Sequence, residues 1–154
     1  MGFLKDLACS QEGVNVVISH LMDKKSAAYR ILGKDEQHIG DIEYDGKFIE
    51  VKFDKYAKKS NNLCFELSNG KKDTGILSTG ADVVAYVVPC KAEGRYMIFY
   101  FDTKKLRDWL AQDSSKQFIS IKRGGDKKKF KMALVKITDV VNLELCNTME
   151  IVGD

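Results

Sequence analysis

Proline occurs once in the 154 residues, at Pro89. A proline-rich linker is thereby excluded. With no internal repeat and no low-complexity tract either, the chain reads as a single domain over 1–154. Histidine is nearly as scarce, with only His20 and His38. The four cysteines, Cys9, Cys64, Cys90 and Cys146, make no C-x-x-C pair and no Cys/His group with zinc-site spacing. The expectation is free thiols in a reducing, intracellular (cytoplasmic) setting rather than a disulfide framework. No apolar run is long enough to span a membrane, and the first residues lack a signal-peptide pattern. Asp6 stands where a myristoylation signal has Ser or Thr. A His- or Ser-based nucleophile arrangement is also missing.

What is present suits a soluble domain with a core: 44% hydrophobic and 31% charged residues, with a net charge of +3. That balance permits nucleic-acid binding without demanding it. The distribution is more telling, because the lysines cluster, although charge runs are more often solvated faces than binding sites.

Apolar spacing predicts a helix from about Gln11 to Leu32, through Val14, Val17, Ile18, Leu21, Ala28 and Leu32. Ser10 or Asn15 would cap it and Gly33 would stop it. Strands are expected at 38–44 and 47–54, with a third from Asn62 to Leu67. After a polar loop, the run A-D-V-V-A-Y-V-V-P (81–89) reads as a strand buried on both faces. A further strand at 95–101 leads to a helix capped by Asp102 or Thr103, with Leu106, Trp109 and Leu110 inward. Two more strands, 117–121 and 130–137, join across Gly124-Gly125, and the tail from Thr138 packs as a short helix or strand. The class is α/β around a central mixed sheet.

The stretch from Gly40 to Asp54, G-D-I-E-Y-D-G-K-F-I-E-V-K-F-D, carries the chemistry. Asp45-Gly46 suits a two-residue type I′ hairpin turn. Paired positions then add to a constant: Tyr44 faces Lys47, Glu43 faces Phe48, Ile42 faces Ile49 and Asp41 faces Glu50. One face carries Ile42, Tyr44, Ile49, Val51 and Phe53; the other carries Asp41, Glu43, Glu50 and Lys52. Like charges placed opposite each other destabilise a hairpin, and a bound cation is the obvious reason to keep them. Two carboxylates and an ammonium on one patch can hold a hard metal ion and manage a water beside it. A surface hairpin in which Asp41 or Glu50 simply pairs with Lys52 is the plainer alternative, and a one-residue slip would move every side chain to the other face.

Asp41, eight residues, then Glu50-Val51-Lys52 resembles the signature of the PD-(D/E)XK nuclease superfamily, with Gly40 in the variable first position. The resemblance covers about residues 10–90 and implies a restriction-endonuclease-like core with helices flanking the central sheet. It implies that Asp41, Glu50 and the Val51 carbonyl hold Mg²⁺, with Mn²⁺ able to substitute. Lys52 would orient the attacking water or stabilise charge on the phosphate. Glu12, near the start of the first helix, stands where relatives often have a glutamate that reaches the metal through water; otherwise it is a favourable helix N-terminal carboxylate. Glu66 lines the same pocket if its strand adds next to 47–54, or else is a solvated strand residue. Glu43 is expected outside the site. Asp82 would fix the adjoining loop.

The implied activity is metal-dependent DNA endonuclease, of restriction or homing, junction-resolving, or phage and repair type, acting as a homodimer or larger homo-oligomer. The alternatives are a non-catalytic nucleic-acid-binding domain of the same fold, and an interaction protein with an incidental hairpin. If the metal site is real, DNA lies across it. The expected contacts are then Lys55, Lys58, Lys59, Lys71, Lys72, the pair Ser78-Thr79, and the basic hairpin with Lys122, Arg123, Lys127, Lys128 and Lys129. Lys24, Lys25 and Arg30 are weaker candidates.

Overall fold

The structure is a computed structural model that describes residues 2–24 and 28–153; the side chains of 2–10, 126 and 149 lie outside the description, as does Lys25. The expected caps at Ser10 and the thiol of Cys9 therefore fall outside it.

The first helix, α1 (Gly2–Lys24), starts earlier and ends sooner than the apolar spacing predicts. Tyr29–Ile31 form a short edge strand, β1, instead of its last turns. Ala28 is exposed and Leu32 is buried beyond the strand. The β-branched and aromatic residues at Tyr29 and Ile31 suit a strand, and pairing with the next strand overrides the helical spacing.

The hairpin forms as its turn dictates. Asp45 and Gly46 both have positive φ, 49° and 78°, as a type I′ turn requires. Strands β2 (Ile42–Tyr44) and β3 (Lys47–Phe53) pair in the expected register, Ile42 with Ile49, Glu43 with Phe48 and Tyr44 with Lys47. The strand before the turn is shorter than expected, since residues 37–39 form a turn and Gly40 bends the chain with φ 140°.

After a one-turn helix, α2 (Ala57–Ser60), comes β4 (Asn62–Ser68). It does not add beside β3. It belongs to a second sheet, antiparallel to β8 (Phe130–Lys136), which in turn pairs with β7 (Ile119–Gly124). The next strand, β5 (Val83–Pro89), pairs parallel to β3 and antiparallel to β6 (Arg95–Asp102). The apolar run thus sits in the interior of the main sheet, as its composition suggests. The helix α3 (Thr103–Ala111) follows, with the Asp102 carboxylate accepting from the Lys105 N–H at 3.0 Å. The tail forms both a short helix, α4 (Ile137–Asn142), and a strand, β9 (Thr148–Gly153), that edges the main sheet beside β6.

The result is a six-stranded mixed sheet, β1-β2-β3-β5-β6-β9, and a three-stranded sheet, β4-β8-β7. One face of the large sheet buries Ile42, Ile49, Ala85, Val87 and Ile98 against Val17 of α1. The other buries Val84, Tyr86, Val88, Phe99 and Phe101 with Leu63 and Phe65 of β4, Val135 of β8, Leu106 of α3 and Val140 of α4. Helices therefore flank the large sheet, but a second sheet shares one flank with them. No helix among the described residues is long and apolar enough to cross a membrane.

Candidate active site

The side chains opposite α1 on the hairpin open into a cavity of about 270 Å³. Asp41, Glu50, Val51 and Lys52 form one wall, and Glu66, Ile76 and Tyr86 are on the others. The pairing arithmetic is what places Glu50 and Lys52 here, beside Val84 and Tyr86 of β5. Asp41 arrives differently. The regular ladder stops at Ile42–Ile49, and Gly40 turns the chain with φ 140°. The Asp41 N–H then donates to the Ile49 carbonyl at 2.8 Å. A Cβ on Gly40 would meet that same carbonyl oxygen at 2.8 Å. Glycine is thus needed here, and the fixed φ of proline, about −65°, could not make this bend.

Beyond the bend the Asp41 carboxylate replaces a strand. Its Oδ2 accepts from the Val51 N–H at 2.7 Å, the group that has run out of backbone partner. Because N–H and C=O of one strand residue point the same way, the Val51 carbonyl also turns toward Asp41. Glu50 is held from the loop after β4, where Thr79 Oγ1 donates to Glu50 Oε1 at 3.2 Å. That loop is clamped from α3: Arg107 donates to the carbonyls of Ile76 at 3.0 Å and Thr79 at 2.9 Å.

Burial pushes the Asp41 carboxyl above the usual carboxylate range, against the opposing Val51 N–H bond. Burial likewise raises Glu50; the Thr79 bond opposes it, the charge of Asp41 adds to it, Lys52 opposes and Glu66 adds. No lysine or arginine among the described residues forms an ion pair with either carboxylate. Both carboxylates are thus partly desolvated, near each other and without a cation at contact distance. A divalent ion would relieve all three costs.

Glu66 lines the cavity from the second sheet rather than from a strand beside β3. Glu12 is not brought to the site. It sits on α1, across the large sheet, where the Tyr96 hydroxyl donates to its carboxylate at 3.3 Å and it lines a separate cavity with His20 and Asp23. Glu43 is outside as expected, paired with Arg30 at 3.3 Å. His20 is buried and hydrogen-bonded to the Tyr100 hydroxyl at 2.7 Å. Asp82 accepts from the Phe48 N–H at 2.9 Å and so ties the start of β5 to β3. Thr79, expected as a DNA contact, is buried and engaged with Glu50, while Ser78 is exposed.

The lysines form two groups. Lys71 and Lys72 follow a turn in which Asn69 Oδ1 accepts both their N–H groups, at 2.9 and 3.0 Å. Gly70 in this turn abuts the Lys129 carbonyl, which lies 3.2 Å from where a Cβ would stand. Lys71, Lys72 and the exposed tip Lys127–Lys129 thus converge, although far apart in sequence. Lys55 and Lys122 line a groove on the other side of Lys52, with Lys58 and Lys59 exposed on α2 and Arg123 exposed on β7.

Sequence reasoning missed Arg107 and the pair Tyr86–Asp54. The Tyr86 hydroxyl donates to Asp54 Oδ2 and accepts from the Cys64 N–H at 2.8 Å, which pins the edge of β4 over β5. A lone hydroxyl in an otherwise apolar run was the available signal for Tyr86; nothing local marks Arg107.

Among the described residues no group of three or more His, Cys, Asp or Glu side chains stands ready to hold a metal. A magnesium site does not need one. Mg²⁺ is commonly held by one or two carboxylates and keeps several waters besides substrate phosphates, so Asp41, Glu50 and the Val51 carbonyl fit that donor set. Comparison with family models, curated proteins and solved structures gives no match.

Proposed function

We propose that this chain is a metal-dependent endonuclease of the PD-(D/E)XK type that hydrolyses DNA phosphodiester bonds. The observation that carries the reading is the joint placement of desolvated Asp41 and Glu50, the Val51 backbone edge and Lys52 on one cavity wall. Asp41, Glu50 and the Val51 carbonyl would hold Mg²⁺ or Mn²⁺, which supplies charge neutralisation at the phosphate and a more acidic bound water. The chain's own residues do the rest. Val51 N–H and Thr79 fix the two carboxylates, so no reorganisation is needed when the substrate arrives. Lys52, exposed at the rim, puts its ammonium where a phosphate oxygen gains charge and where an attacking water can be oriented. Phosphoryl transfer calls for positioning and charge stabilisation more than for a covalent nucleophile.

One such site cuts one strand, so a double-strand break calls for two copies of the chain. The free thiols Cys64, Cys90 and Cys146 suit a reducing interior. The non-catalytic DNA-binding reading draws on the fact that, among the described residues, no group of three His, Cys, Asp or Glu side chains stands ready to hold a metal.

The test is cleavage of supercoiled, branched and single-stranded DNA in Mg²⁺ or Mn²⁺. Asp41→Asn, Glu50→Gln and Lys52→Met are each expected to lose about a hundredfold or more in rate while still binding DNA. Cleavage that persists in all three variants sinks the assignment. Salt-sensitive binding by wild type without cleavage of any substrate favours the non-catalytic reading.

A further inference from the structure

We infer that the groove beside the site holds unpaired nucleotides of the strand being cut, with Tyr56 as the stacking platform. This rests on the nuclease reading and adds to it a substrate class, single-stranded or branched DNA. The groove measures about 630 Å³ and is lined by Lys52, Lys55, Tyr56, Asn62, Lys122 and Met132 among others. Lys52 and Cys64 line both it and the active-site cavity, so the two adjoin. A strand leaving the carboxylates past Lys52 enters this groove directly.

The lining matches single-strand chemistry. Single strands are held by a positive groove that follows the backbone and by aromatic rings on which bases stack. Three lysines line it against one carboxylate, Asp54. That carboxylate is already used: Oδ1 accepts from the N–H groups of Tyr56 and Ala57 at 2.9 and 3.1 Å, and Oδ2 accepts from the Tyr86 hydroxyl. The same bonds fix the main chain on which Tyr56 stands, and Ala57 next to it is fully buried. Yet the Tyr56 side of this anchor is open, with the residue 67% exposed. A rigidly mounted, solvent-facing ring over a lysine-lined groove pays little entropy to receive a base. Met132 and Leu134 give the groove an apolar floor, and Asn62 offers an amide to a base edge. Cavities of this volume bury one small molecule, so the groove takes about one or two nucleotides rather than the girth of a duplex.

The probe is fluorescein-labelled oligo(dT) against a blunt hairpin duplex of equal length, with affinity read by anisotropy in EDTA so that nothing is cut. Tyr56→Ala is expected to weaken oligo(dT) binding about tenfold and to leave duplex binding unchanged, while Tyr56→Phe keeps wild-type affinity. Lys122→Gln is expected to weaken oligo(dT) binding and lower its salt slope by about one. Tyr56→Ala binding oligo(dT) like wild type overturns the inference, as does an equal loss on both probes. The nuclease reading is scored separately by wild-type cleavage in Mg²⁺. If wild type cleaves and Tyr56→Ala binds normally, the groove assignment fails alone. If oligo(dT) binding depends on Tyr56 but no substrate is cut, the nuclease reading fails alone.

Discussion

The two faces of the large sheet are built from the same strands and end up unlike each other. Under α1, Val17 meets Ile42, Ile49, Ala85, Val87 and Ile98, and the layer closes. On the opposite face β4 leaves the sheet after β3 and crosses above it, held by the Cys64 N–H to the Tyr86 hydroxyl. A strand edge cannot fill space as a helix stripe does. The gap it leaves beside β3 is the cavity in which Asp41 and Glu50 stand. Both faces pack a core, and the second also holds the desolvated carboxylates of Asp41 and Glu50 beside β3.

The largest expected effect lies on the closed face. Ile98→Ala is expected to cost about 2–5 kcal/mol in urea unfolding, the usual range for a buried Ile cut to Ala, since Ile98 is fully buried. DNA affinity per folded molecule should not change. A loss of DNA affinity in the folded fraction would break the division between the faces. Next comes the clamp on the open face. Arg107→Met removes two charge-assisted bonds to the Ile76 and Thr79 carbonyls. About 2 kcal/mol is expected, with faster amide exchange confined to residues 75–81. Exchange that quickens across the whole sheet instead would show that the loop is not a separate unit.

How much of this was readable beforehand follows the same division. The hairpin was readable in detail because Asp45-Gly46 fixes the register and the register fixes the faces: Ile42, Tyr44, Ile49, Val51 and Phe53 do all pack on the α1 side. The central place of β5 was readable from its unbroken apolar run. Helix ends were less so, because Ala28 and Leu32 keep the helical spacing while a neighbouring strand claims Tyr29–Ile31 between them. The departure of β4 was not readable, since its alternation of Leu63 and Phe65 with Cys64 and Glu66 fits either sheet. Glu66 therefore reaches the cavity by a route different from the one expected. Glu12 reached the expected site through the family resemblance alone, and α1 in fact covers the opposite face. The Arg107 clamp and the Thr79–Glu50 bond gave no signal because they join residues about thirty positions apart.

A smaller effect is expected at Thr79, whose hydroxyl donates to Glu50 and accepts from the Ala81 N–H at 3.2 Å. Thr79→Val keeps the shape and loses both bonds, for about 1 kcal/mol of stability. Cleavage should fall about tenfold, as for groups that orient a metal ligand. Thr79→Ser should restore both. Full cleavage by the valine variant would leave Thr79 as a loop residue with no part in positioning Glu50.

The smallest effect has the opposite sign and separates the faces most sharply. Folding raises the Asp41 and Glu50 carboxyls above their ordinary range. Folding thus favours their protonated forms, and their contribution to stability is fully present below the unfolded values, about pH 4. It is lost as pH rises through the raised folded values. Glu36 and Glu150, held low by Arg30 and Lys24, act the other way, but they are unchanged between wild type and a Glu50 variant and cancel in the difference. Glu50→Gln is therefore expected to be more stable than wild type at pH 7, seen as a higher Tm. The gap should close toward pH 4. On the proposed function, Mg²⁺ at pH 7 should raise the wild-type Tm and leave the variant's where it is, because an ion held only by the folded site stabilises it. If Glu50→Gln instead destabilises the chain equally at both pH values, Glu50 is a packed structural residue like those under α1, and the two faces are not different in kind.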